Sequence, residues 1–370
     1  MTPRATVFQR LILPGFALKA VVIGGGYATG RELATFFLPS GPRGGLYAML
    51  LSMVIWSVVC ALTFLFALQT RSLDYRTFFR HLLGPFWPVF EVALALAMVV
   101  ILAVYAAAAG AIGQAIFAWP LFAGSLLLVL CVTLIASYGN EAVERLFKYV
   151  TYFLYATYVL FVILSFTRFG DRIGIAFGAH EVTSGWATGG LLYAGYNILG
   201  AILILPVVRH MGCRRDALIA GVLAGPMAML PAIMFFICMV AFYPQITDAA
   251  LPSDYLLERL NIPVFRTIYQ IMIFTALLES ATGGIHAINE RVAHAYNEAS
   301  GRPLSRTARL AVTCMVVVIA VLIASRFGLV DLIASGYSWL AVAILATYVL
   351  PLLTVGLWRI LRRSLMFNPG

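Results

Sequence analysis

The chain has 370 residues, 62% hydrophobic and only 11% charged, with a mean hydropathy of +0.96 and a formal net charge of +10. A soluble domain carries about 25% charged residues, so this composition excludes a soluble globule and points to an integral membrane protein. Mainly apolar segments of about 18 residues or more recur along the chain, which excludes a β-barrel, whose strands alternate in polarity over about ten residues.

The first predicted helix spans 11–37. Arg4 and Arg10 precede it as in a signal peptide, but no small-residue cleavage site follows and the apolar run passes residue 30, so the segment is expected to be retained. It ends in GGGYATGRELATFF, residues 24–37. Each interior Gly weakens a helix by about 1 kcal/mol relative to Ala, and a charge at mid-membrane depth costs at least about 2.5 kcal/mol. The pattern therefore predicts a break, whose freed N–H and C=O groups must be satisfied by ligand, ion or protein. Half-helix N-termini offer N–H donors to a carboxylate, and the opposite ends offer carbonyls to a cation. Gly24, Gly25, Gly26, Tyr27, Ala28, Thr29 and Gly30 are accordingly the first candidate substrate contacts. Arg31 and Glu32 are expected either to answer each other or to reach toward the outer surface. The stretch lacks GK[ST] and misses GxGxxG at Thr29, so a phosphate loop is discarded.

The next four helices are predicted at 45–68, 86–116, 119–137 and 147–167. The third carries Tyr105 within VYAAAAGAIGQ, where small residues admit a close neighbour. Tyr105 is either a structural hydrogen bonder or a ligand contact. The sixth helix, 187–208, holds a second Gly-rich stretch, GGLLYAGYNILG at 189–200. A break there offers Tyr193, Gly195, Tyr196 and Asn197 to a substrate, with Pro206 fixing the second half-helix.

Helices seven to ten are predicted at 216–243, 263–286, 308–325 and 329–358. The connection PQITDAALPSDYLLERLNIP, 244–263, reads either as an ordinary loop or as an outward-facing lid, with Ser253 capping a short helix. In the eighth helix, ALLESATGGIHAINERVAHAYNE at 276–298 places Glu279, Thr282 or Gly283, His286 and Glu290 on one face. Glu279 lies 13 residues beyond Arg266, roughly 20 Å along a helix, hence inside the membrane. An intramembrane carboxylate is a functional candidate by default. Three readings stand: a proton carrier, a sodium site with Ser280, Thr282 and carbonyls of the first break, or an ion pair with Lys19 or Arg31. Glu32 joins Glu279, Ser280 and Thr282 as an ion-coupling candidate. His286 and Glu290 read as a solvated helix end.

With a cytoplasmic N-terminus, 17 basic residues fall on the cytoplasmic side and 6 on the other, leaving only Lys19 and Arg31 in the first span. The positive-inside rule thus places both termini in the cytoplasm, and the net charge reports topology, with no nucleic-acid partner expected. Helices one and six differ in order by five, so they cross in opposite senses. Paired breaks in that relation predict a five-plus-five inverted repeat, 11–168 and 187–358, within a single membrane domain, and mark a transporter site. Close packing through small-xxx-small faces, such as Gly26-xxx-Gly30, is the structural alternative. The five cysteines, Cys60, Cys131, Cys213, Cys238 and Cys314, form no CxxC, read as inert thiols and suggest no firm metal site.

The first-helix stretch resembles the signature of the YkvI-like bacterial membrane proteins, roughly Gly-Ala-Gly-Phe-Ala-Ser/Thr-Gly-Gln-Glu. Gly24, Gly26, Tyr27 as the aromatic, Ala28, Thr29, Gly30 and Glu32 carry the match, while Gly25 replaces Ala and Arg31 replaces Gln. That family is similar to the amino acid-polyamine-organocation superfamily. The resemblance implies an all-α LeuT-type fold of about ten transmembrane helices and alternating access. It also implies a central site between helices one, three, six and eight, which maps onto Gly24 to Gly30, Tyr105, Tyr193 to Asn197, and Glu279 to Thr282. A sodium site of this fold usually has adjacent hydroxyls on helix eight, which Glu279-Ser280 does not supply.

The expected function is therefore secondary transport of an amino acid or a similar small zwitterion or amine across the bacterial inner membrane, with protons favoured over sodium. A sodium-coupled symporter of the same fold, or a membrane sensor that binds without transporting, are the alternatives. No HExxH, Ser-His-Asp set or Cys/His metal spacing supports an enzyme. The expected partners are a small-molecule substrate and the lipid bilayer, with no obligate protein partner and no cofactor beyond the coupling ion.

Overall fold

The computed structural model describes residues 5–23, 25–138 and 140–366, and every regular element among them is helical. In chain order these are α1 (Leu13–Val22), α2 (Gly25–Ala28), α3 (Arg31–Phe36), α4 (Gly41–Thr70), α5 (Tyr75–Leu83) and α6 (Trp87–Phe117). Then come α7 (Leu121–Tyr138), α8 (Asn140–Ala179), α9 (Trp186–Asn197), α10 (Leu199–Leu203), α11 (Arg214–Val240) and α12 (Pro252–Leu260). The last four are α13 (Pro263–Ser300), α14 (Arg306–Asp331), α15 (Tyr337–Ile344) and α16 (Leu357–Met366).

Among the described residues, six stretches are long and apolar enough to cross a bilayer: Arg31–Thr70, Tyr75–Phe117, Thr151–Ala179, Arg214–Val240, Pro263–Ser300 and Arg306–Arg362. Length and composition alone thus give a smaller count than the ten helices expected from sequence, and three features bear on the difference. Arg306–Arg362 has 57 residues, enough for two crossings at about 20 residues each, and Gly328 interrupts it with a left-handed φ of 71°. Conversely, the first and sixth predicted helices are divided, the last piece of the first being counted within Arg31–Thr70, and the fourth is represented by the shorter apolar stretch Leu121–Ile135.

Close backbone approach explains where the glycines and alanines fall. A Cβ added to Gly221 of α11 would lie 2.3 Å from the Cα of Ala61 on α4, and one added to Gly225 would lie 2.2 Å from the Ser57 hydroxyl. α4 and α11 consequently share the most extensive contact in the molecule. α9 lies on the same α4 surface, where the Ser52 hydroxyl donates to the Gly190 carbonyl at 2.7 Å and the Trp56 indole to the Ala194 carbonyl at 3.2 Å. Away from these seams, large apolar side chains such as Leu230, Leu322 and Trp339 are exposed, an oily surface that a bilayer satisfies and water does not.

The first break forms as the sequence suggests. α1 ends at Val22, Ile23 leaves helical geometry at ψ 70°, and after α2 the chain turns at Gly30 with φ 77° before α3 begins. Gly24 lies outside the described residues.

The second break falls at the far end of the stretch that the sequence marks. α9 runs helically through Gly189, Gly190 and Gly195, and the interruption comes later, around Ile198, with a further tightening over Leu205–His210 that begins at Pro206. The three glycines instead serve packing. A Cβ at Gly189 would sit 2.1 Å from the Phe36 carbonyl oxygen, one at Gly190 2.6 Å from the Ala48 carbonyl oxygen, and one at Gly195 3.0 Å from Leu345.

Candidate functional site

The two interrupted helices meet α6, α8, α13 and α15 around a cavity of about 380 Å³. Its polar lining includes Glu32 just after the first break, Tyr196 and Asn197 at the second, Tyr105 on α6, and Glu279 and Ser280 on α13. Val21, Leu102, Leu203 and Ala276 supply apolar walls. Two carboxylates and no Lys or Arg therefore face this space among the described residues.

Glu32 is buried and accepts a hydrogen bond from the Tyr196 hydroxyl, which ties the two breaks together. Tyr196 in turn packs its ring 4.5 Å from that of Tyr337, a wall residue from the start of α15. Glu279 is half-buried and makes no ion pair among the described residues. Lys19, one proposed partner, instead holds its ammonium 4.4 Å from the Tyr155 ring centroid, a cation–π contact. Arg31, the other, is turned toward the 244–263 connection and does not line the cavity.

Arg31 and Glu32 do not answer each other, and Arg31 does not reach open surface. The Arg31 guanidinium is buried and donates to the Thr247 and Ala249 carbonyls at 2.8 Å each, and to the Thr35 hydroxyl at 3.1 Å. These carbonyls belong to the 244–263 connection, which does contain a short helix, α12. Ser253 is not its N-cap; Leu251 is, and the Ser253 backbone N–H donates to the Thr29 carbonyl at 3.0 Å. The break thus satisfies one freed carbonyl with the 244–263 connection. Replacing Arg31 with Gln is expected to loosen this connection, since hydrogen bonds to a charged donor contribute about 1.5–3 kcal/mol each; hydrogen exchange across 247–255 should quicken while the α4–α11 seam stays protected.

The remaining candidates divide. Tyr27 lines the cavity, and its hydroxyl lies 3.4 Å from that of Tyr158, which donates to the Pro231 carbonyl at 2.6 Å. Ala28, Thr29 and Gly30 are buried and build the turn: the Thr29 hydroxyl accepts from the Arg31 N–H at 3.2 Å, and Gly30 faces Phe235. Tyr193 is fully buried among Phe36, Phe37 and Trp56, and Gly195 packs on α15 and Leu345, so neither lines the cavity. Thr282 is also off the cavity, its hydroxyl donating to the Leu278 carbonyl at 2.7 Å. Gly25 and Gly26 fall within α2. His286 and Glu290 are exposed as expected, with Glu290 paired to Arg309.

Sequence reasoning missed Tyr155 and Tyr337 as wall residues. Tyr155 sits in TYFLYATY, 151–158, where nothing distinguishes one tyrosine from the next. Tyr337 follows a Gly336 in the last apolar region, where only apposition with Tyr196 reveals its role.

Comparison with solved structures decides the fold. MhsT, solved in complex with L-phenylalanine, superposes with a TM-score of 0.62 at 17% identity, over 98% of this chain and 98% of that one. The chain has the LeuT-type fold. The manganese transporter of Eremococcus coleocola, in a point-mutant form, matches at a TM-score of 0.52 and 16% identity, over 92% of this chain and 77% of the other. Mhp1 in an inward-facing conformation matches at 0.50 and 16% identity, over 94% and 77%. These neighbours are transporters, not enzymes. No family model and no curated protein matches the chain, so the YkvI-like resemblance has no family-level match behind it. The protein is a multi-pass membrane protein that shares the fold of these neighbours.

Proposed function

We propose that the protein is a secondary transporter for a small amine-bearing solute, an amino acid or a simple amine, and that it is coupled to protons. The observation that carries this reading is the cavity itself: it forms where both interrupted helices meet, and its described lining holds two carboxylates, several tyrosines and no basic side chain. An ammonium group answers Glu279 or Glu32, and tyrosine faces favour cations as well as apolar stems. We assign substrate contact to Tyr27, Tyr105, Tyr196 and Asn197, and proton carriage to Glu279, with Glu32 tied to Tyr196 as the link between the breaks. Sodium is disfavoured because Ser280 alone among the α13 hydroxyls lines the cavity, Thr282 being turned into its own helix.

In this reading the chain comprises ten spans in two inverted repeats, with both termini cytoplasmic. The cavity runs from Glu32 along α13 to Ala287, toward the helix end at Ser300. The opposite end is covered by α12. With the basic loops inside, the access path is cytoplasmic and the lid faces out.

The test is a thermal-shift screen of the detergent-purified chain against amino acids, amines and organic acids, at two pH values, with and without sodium. Binding to the folded state raises its stability by about 2.7 kcal/mol at a hundredfold excess over Kd. Stabilisation by amine-bearing solutes, changing with pH and not with sodium, is expected. Stabilisation by organic acids alone, or a strict sodium requirement, overturns the assignment.

A further inference from the structure

At the lid end of the molecule, three arginines converge outside the central cavity. Arg168 and Arg172 stand one turn apart on α8, and Arg259 lies in the last turn of α12. With Phe169 and Phe242 they line a second, shallow cavity of about 410 Å³. The guanidinium carbons of Arg172 and Arg259 lie 5.1 and 5.2 Å from the centroid of the one Phe242 ring, so charges from two separate helices are drawn onto the same aromatic. Phe242 is held in place edge-on by Phe169, with ring centroids 4.8 Å apart.

These cations lack an anion. None of the three forms an ion pair among the described residues; Arg259 donates from Nη1 to the Tyr255 carbonyl at 3.1 Å and lays its guanidinium 3.2 Å from the Tyr255 ring centroid. The contrast is Arg266, in the first turn of α13, which is closed by both oxygens of Asp254 at 2.7 Å. Neighbouring acids exist, Asp171 and Glu258, but neither pairs with the cluster. Planar forks with several free N–H donors, gathered without a carboxylate, match the oxygens of a phosphate.

The surroundings say where that phosphate comes from. Leu164 and Leu160 continue the row of Arg172 and Arg168 at intervals of four toward the middle of α8, and Leu160 is 45% exposed, on a helix apolar enough to span a bilayer. Arginines bordering an exposed aliphatic strip put charge at headgroup depth and hydrocarbon beside the acyl chains. We propose that Arg168, Arg172 and Arg259 bind the phosphate group of an anionic phospholipid. Because Arg259 belongs to α12 and the other two to α8, the headgroup bridges the lid to the bundle. The same lid is bonded through Ser253 to the Thr29 carbonyl of the first break, so the lipid holds the lid over the site.

The experiment measures association of fluorescent phosphatidylglycerol with the full chain in phosphatidylcholine nanodiscs. Arg168→Gln, Arg172→Gln and Arg259→Gln are each expected to weaken it about fivefold. Arg43→Gln, an exposed arginine elsewhere on the lid side, should leave it unchanged, and because all four side chains are exposed the variants should fold alike. Equal weakening by Arg43→Gln would mean diffuse surface charge and overturn the site. Undiminished binding in the Arg168→Gln/Arg172→Gln double variant overturns it too. Competition by inorganic phosphate as effective as that by the lipid would overturn the lipid as the source.

Discussion

In proteoliposomes under an imposed pH gradient, Glu279→Gln is expected to abolish gradient-driven uptake and to flatten its pH dependence, while exchange at high solute concentration survives. Gln keeps the shape and polarity of the side chain but cannot carry a proton. Its loss of charge should also weaken an amine-bearing solute by about 10- to 100-fold in Kd, as expected for one charge-assisted hydrogen bond. The reason for a large effect is positional. Glu279 lines the cavity half-buried, and neither Lys19 nor Arg31 neutralises it. A well-folded variant with unchanged pH dependence would make Glu279 a structural residue.

Gly283→Leu is expected to weaken solute binding by at least tenfold, about 1.4 kcal/mol, without unfolding the protein. Gly283 lines the cavity on the Glu279 face of α13, and a Cβ added there meets nothing within 4 Å. The added side chain therefore grows into the solute's space and not into a neighbouring helix. Gly283→Ala separates the two effects: it should gain about 1 kcal/mol of helix stability with affinity nearly retained. A leucine variant that binds as wild type would place the solute elsewhere. Gly221 is the counterexample, since any Cβ there collides with the backbone of α4, and its substitution should lower stability whatever the solute does.

Much of this was legible in the sequence because the signals were local. Three glycines followed by Arg31-Glu32 in an apolar run do not sustain a plain helix, and the chain breaks there. Helical spacing was enough to put Glu279 and Gly283 on one face of α13, where both line the cavity. In the second glycine-rich stretch a missing side chain has two uses, and packing takes most of its glycines. In Gly189, Gly190 and Gly195 it admits α3, α4 and α15, and the chain gives way only at Ile198. What could not be read was non-local. The partners of Arg31 include carbonyls more than 200 positions away, and Tyr337 reaches the cavity wall from α15, its ring tilted against that of Tyr196.

The charge imbalance of the cavity reaches beyond recognition. A wall with two carboxylates and no described basic residue suits a solute that brings an ammonium group, and where that solute is a simple amine its net charge responds to the voltage across the bilayer. Each elementary charge moved through 100 mV gains about 2.3 kcal/mol, equivalent to roughly a fifty-fold concentration ratio. Entry of a cation toward a negative interior would then be driven by the membrane potential itself, and a proton moving with it would add a second charge to the same current.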